Sequence, residues 1–136
     1  MDIAPTPADT LQPAFQRLRA AHLRHIPTYA ERIDALDRLR RAVASHRDEL
    51  VAACSADFGR RSPMETIGAD VLVTIDEIKH ARKHLRRWMR PRRQPINLAF
   101  QPARGELRYS PLGVVGIVAP WNYPFQLAII PLVNAL

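Results

Sequence analysis

Apolar residues recur at three- to four-residue steps through most of this chain, and caps, prolines and glycines divide them into segments. A first helix is predicted from about Ala8 to Leu23, with Leu11, Phe15, Leu18 and Leu23 on its apolar side. Pro27 follows it. Thr28, with Glu31 three residues on, has the pattern of a capping box for a second helix. Ile33, Leu36, Leu39 and Val43 give that helix one apolar face. Ser45 and Asp48 restart or continue the helical pattern through Leu50, Val51 and Cys54, until Gly59 supplies a stop.

Ser62-Pro63-Met64-Glu65 predicts the next start: a hydroxyl cap, proline at the first helical position, and a glutamate to complete the box. Ile67, Val71, Ile75, Ile78, Leu85 and Met89 then share a narrow sector of one long helix. It should end near Arg90, because Pro91 prevents continuation. Ile96 to Gln101 and Glu106 to Ser110 flank Pro102-Ala103-Arg104-Gly105, the pattern of a β-hairpin with a glycine-containing turn. Val114 to Val118 reads as one buried strand, and a helix follows from about Phe125.

Composition narrows the class. A chain of 136 residues suffices for one small domain, and a hydrophobic fraction of 47% argues against intrinsic disorder. The single cysteine excludes an internal disulfide framework and suits a reducing cytoplasm, where we expect the protein to reside. Residues Met1 to Pro7 lack the basic start and apolar core of a secretory signal and read as a frayed leader. From Leu112 to Leu136 there is no Asp, Glu, Lys, Arg or His, a length that suggests a membrane span. Pro120, Pro124 and Pro131 interrupt the run, so a strand and a shorter helix fit it better, and no membrane partner is expected.

The formal charge is +7, and Lys79 and Lys83 are the only lysines among 20 basic residues. The cluster from Arg82 to Arg93, with Trp88 available for stacking, raises nucleic-acid binding. No base-reading module accompanies it, and Trp88 borders the apolar face, so a solvated helix end fits better and no nucleic-acid partner is expected. His80 and His84 stand four apart but lack a third ligand at zinc-like spacing, so no metal is expected. Cys54 reads as a small buried thiol. The glycines of Gly113-Val114-Val115-Gly116 precede and interrupt the strand, unlike a dinucleotide fingerprint.

One turn carries candidate chemistry. Trp121-Asn122-Tyr123 lies between Pro120 and Pro124 at the carboxyl end of the expected strand, where open α/β sheets place ligands. The Asn122 amide there is either a pre-aimed N–H donor for a developing oxyanion or a turn-capping residue. Residue chemistry alone leaves both readings open.

Pro111-Leu112-Gly113-Val114-Val115 followed by Pro120-Trp121-Asn122-Tyr123-Pro124 resembles the start of the cofactor domain in the aldehyde dehydrogenase superfamily. Ala56-Asp57-Phe58-Gly59-Arg60-Arg61-Ser62-Pro63-Met64-Glu65-Thr66 resembles that family's N-terminal helices. The run from Glu77 to Arg93 is most similar to its coniferyl aldehyde dehydrogenase branch, and the likeness extends from about Leu11 onward.

The resemblance implies an α/β fold: N-terminal helices, a β-hairpin and the first strand of a Rossmann-like cofactor domain, incomplete in this chain. Residues 1–136 would then be the N-terminal part of that domain, with about 96–110 a hairpin of the oligomerisation-sheet type. It implies NAD- or NADP-dependent oxidation of an aldehyde, aromatic and of coniferyl type, to a carboxylic acid through a cysteine thiohemiacetal. Asn122 matches the family's oxyanion donor, and Val118, Ala119, Pro120 and Trp121 match residues lining the nicotinamide cofactor. A homodimer is implied for the full-length form. Family members continue well past this turn to a glutamate base and a cysteine nucleophile, and Cys54 does not match that nucleophile in position or context. The chain is therefore expected to be an inactive N-terminal fragment. Two other readings are a non-catalytic module that associates with a complete dehydrogenase, and a basic helical nucleic-acid-binding protein.

Overall fold

The computed structural model describes residues 8–136, so the expected leader at Met1 to Pro7 lies outside the described residues. Helix α1 spans Ala8–Arg24, α2 Tyr29–Ser45 and α3 Arg47–Phe58. Helix α4 is one continuous rod: a first turn Pro63–Glu65, a π-helical stretch Thr66–Leu72, and the α-helical Val73–Trp88. After an antiparallel pair, β1 Arg92–Gln94 and β2 Gly105–Leu107, the chain closes with α5, Pro124–Ala135. The described residues are thus mostly helical, with five helices and one two-stranded hairpin.

Local signals explain the helix boundaries. Glu31 N–H donates to Thr28 Oγ1 at 3.3 Å while Thr28 N–H donates to Glu31 Oε2 at 2.7 Å, which completes the reciprocal capping box expected at α2. Gly59 ends α3 at φ 74°, in the left-handed region that a Cβ disfavours. Pro63 occupies the first turn of α4 as expected, but the Ser62 side chain makes no cap hydrogen bond there. Glu65 stands instead 3.8 Å from Arg61 Nη2, so the predicted box is replaced by a charge contact.

The core lies where α2, α4 and α5 meet. Leu36 and Val43 from α2, Val71, Ile78 and Ala81 from α4, and Val133 from α5 are buried together. Leu39, Ile75, Leu85, Trp88, Phe125 and Ile129 pack around them. The expected stripe of α4 is thus largely inward. The π-helical stretch changes its detail, because its hydrogen bonds reach five residues back and widen the turn. Thr66, Asp70 and Thr74 are buried beside Val71, while Met89 is exposed.

Three expectations are corrected. The apolar side of α1 is not covered: Leu11, Phe15, Leu18 and Leu23 are all exposed. The hairpin is shifted, with Arg92 opposite Leu107, Arg93 opposite Glu106 and Gln94 opposite Gly105. Leu98–Phe100 forms a 3-10 turn inside its loop, held by Asn97 Oδ1 accepting from Ala99 N–H at 2.9 Å. Finally, Val114 to Val118 forms no strand. A strand exists only through ladder bonds to a neighbour, and the sole sheet among the described residues is the β1–β2 pair. The first Rossmann-type strand of the expected fold class is therefore present as sequence but not as a β-strand.

Candidate functional site

The turn at Trp121-Asn122-Tyr123 is held from below by a buried ion pair. Arg61 follows the glycine stop of α3, and its side chain is only 4% exposed. Its Nη2 donates to Asp70 Oδ2 at 2.9 Å, and its Nη1 donates to the carbonyl oxygen of Asn122 at 2.9 Å. The guanidinium also packs against two rings, 5.0 Å from the centroid of Phe58 and 4.8 Å from that of Tyr123. Asp70 is fully buried, and its second oxygen, Oδ1, accepts the backbone N–H of Gln126 at 2.9 Å. Gln126 lies in the first turn of α5, where N–H groups have no partner within the helix. Its cap is supplied by another helix.

Above this support the candidate residues face solvent. Asn122 is exposed, and its side-chain amide makes no hydrogen bond to any described residue. Trp121 is 85% exposed and Val118 95%, whereas Ala119 is half-buried and Pro120 exposed. The structure thus brings Asn122 into a defined turn at the start of α5, next to Val118, Ala119, Pro120 and Trp121 along the chain. Taken alone, these four residues do not fit a dinucleotide, because nearly bare Val118 and Trp121 side chains enclose nothing. Arg61 and Asp70 were missed by sequence reasoning. Two opposite charges nine residues apart in an arginine-rich chain carry no mark of burial.

The other candidates have structural roles. Cys54 is a free buried thiol; burial pushes its pKa up, the Asp70 charge adds to that, and Arg61 opposes it. His80 and His84 rings lie 4.2 Å apart and both contact the Trp88 ring at 5.8 Å, while His84 Nδ1 approaches the His80 carbonyl at 2.8 Å. Among the described residues, no group of three or more His, Cys, Asp or Glu side chains could hold a metal ion. No described helix is long and apolar enough to cross a membrane. In the basic cluster, Arg82 Nε donates to Asp37 Oδ2 at 3.1 Å, tying α4 to α2.

This helical scaffold is shared with known proteins. The sequence profile of the aldehyde dehydrogenase family matches residues 8–136, so the chain belongs to that family. It is 40% identical over 127 residues to a probable coniferyl aldehyde dehydrogenase of Pseudomonas aeruginosa, covering 93% of this chain and 27% of that protein. It is 42% identical over 122 residues to a probable coniferyl aldehyde dehydrogenase of Caulobacter vibrioides, covering 87% of this chain and 25% of that protein. Among solved structures, a substrate-bound state of Staphylococcus aureus AldH superposes with a TM-score of 0.86 at 27% identity, covering 99% of this chain and 28% of that one. The chain spans about a quarter of the length of the curated relatives it matches.

Proposed function

We propose that this segment is the N-terminal portion of an NAD- or NADP-dependent aldehyde dehydrogenase acting on aromatic aldehydes of coniferyl type. Asn122 would donate its side-chain N–H to the substrate oxygen as negative charge develops there. The observation that carries this reading is an exposed, unengaged amide on a turn whose backbone is anchored from a buried ion pair. An amide donor neutralises an oxyanion without taking up a proton, and such a donor contributes about 3–4 kcal/mol to the transition state. Val118, Ala119, Pro120 and Trp121 would supply one wall of the nicotinamide site, completed by residues that this chain does not contain. The nucleophilic cysteine and the glutamate base also belong to those residues, since Cys54 is buried and its thiol pKa is raised. In the longer protein the hairpin would join an oligomerisation sheet, giving a homodimer.

The test is a chimera in which residues 8–136 replace the matching quarter of the Pseudomonas aeruginosa relative. The chimera should oxidise coniferyl-type aldehydes, and Asn122→Ala should lower kcat by about 10²- to 10³-fold. The 136-residue chain alone should reduce no NAD or NADP. Unimpaired turnover by the Asn122→Ala chimera, or turnover by the short chain that requires Cys54, would refute the reading.

A further inference from the structure

Arg61 and Asp70 form a link with one end in the candidate turn and the other in the first turn of α5. One oxygen of Asp70 orients the guanidinium whose Nη1 holds the Asn122 carbonyl, and the other oxygen holds the Gln126 N–H. The three intervening residues, Tyr123, Pro124 and Phe125, are spanned by a single carboxylate–arginine unit. The Tyr123 ring packs on the same guanidinium, so three successive features of the turn refer to one buried group. The Asn122 side chain is the part left free.

Stability alone is a poor account of this arrangement. Removing two charges from water is expensive, and an apolar pair of similar volume serves packing as well or better. Arg61 Nε has no acceptor among the described residues, so the pair is not even fully satisfied. What an apolar pair cannot do is fix a backbone carbonyl at hydrogen-bond distance. A guanidinium has a rigid planar fork of donors, and two of its nitrogens here bind two acceptors at the same distance of 2.9 Å. Thr66–Leu72, wound as a π-helix, carries Asp70 to the point where its two oxygens reach both partners.

We propose that Arg61 and Asp70 are positioning residues for the Asn122 amide, setting the backbone from which it reaches the aldehyde oxygen. The inference rests on the oxyanion role proposed for Asn122. It adds that the role depends on a buried pair that touches neither substrate nor cofactor. Misplacement of a catalytic donor by about 1 Å is enough to lose as much as two orders of magnitude in rate.

A double-mutant cycle in the chimera separates positioning from simple support. Arg61→Lys keeps the charge but loses the fork. It should lower kcat about tenfold with KM changed less than about twofold. In an Asn122→Ala background the same substitution should have no further effect on kcat, because the group it positions is gone. An equal loss in both backgrounds would make the pair merely structural and overturn the inference. Harmless Asn122→Ala would instead strike the proposed oxyanion role. If Arg61→Lys fails to fold, Phe58→Leu, which removes one ring beside the guanidinium, takes its place with the same expectation. An inactive chimera would count against the proposed function, and hydrogen exchange on the chain itself then decides the geometry. There, Arg61→Lys should speed exchange by about tenfold at Gln126, whose N–H is held by Asp70, and unchanged exchange there would overturn the inference.

Discussion

Asp70 Oδ1 accepts the backbone N–H of Gln126 at 2.9 Å, so a carboxylate in α4 caps the first turn of a helix 56 residues further along the chain. The negative charge lies at the positive end of the α5 dipole, where it is favourable. The same carboxylate neutralises Arg61. Asp70→Ala should therefore destabilise the chain by about 3–5 kcal/mol, since it strands a buried cation as well as removing a cap. Urea unfolding measures this, and a loss below about 1 kcal/mol would contradict the described burial.

A second prediction concerns acid. Glu31 has its carboxyl held down to about 2 from an ordinary 4.5, first by the Thr28 backbone N–H, then by the Thr28 hydroxyl and by His25. A folded-state pKa below the unfolded one means stability that is complete above the ordinary value and disappears as pH falls from 4.5 through about 2. Glu31→Gln should flatten the pH dependence of unfolding in that window while leaving the slope above it unchanged. An unaltered acid limb in the variant would show that the α2 cap contributes nothing there.

Cys54 gives a third. Its thiol is buried and its pKa raised by that burial and by the Asp70 charge, so little thiolate forms and reagents reach it only through opening. Labelling by a neutral thiol reagent at pH 8 should run about two orders of magnitude slower in the folded chain than in denaturant. Asp70→Asn should accelerate it. Equal rates in the folded and unfolded chain would rule out the burial.

The fourth prediction concerns association. Leu112 is 93% exposed, Val118 95% and Trp121 85%, and the apolar side of α1 is bare as well. Exposed apolar side chains of this kind drive self-association where they form a patch. Sedimentation at micromolar concentration should show oligomers or aggregates, and the pair Leu112→Lys with Val118→Lys should reduce them. A monodisperse wild-type monomer would be the contrary result.

The parts of the fold that were legible in the sequence are those governed by neighbours in the chain. Thr28 and Glu31 meet across three residues, so their spacing alone predicts the cap. Gly59 and Pro63 act through their own backbone. The apolar period of α2 and α4 identifies Leu36, Val43, Val71 and Ile78, which are all buried. Hairpin register was legible only roughly. A Cβ on Gly105 would meet Ile96 Cγ2 at 2.7 Å, so Gly105 sits under Ile96 and pairs with Gln94, a contact that turn composition does not encode.

Sequence by itself determined the family, the order of helices and the Pro120-to-Pro124 turn carrying Asn122, because these depend on residue type and short spacing. Tertiary structure decided the rest. It left Val114 to Val118 without a ladder, exposed the apolar side of α1, and joined Arg61, Asp70, Asn122 and Gln126 into one support. A strand, a covered face and a buried ion pair each require a partner brought close in space. Chain order does not specify where that partner will be.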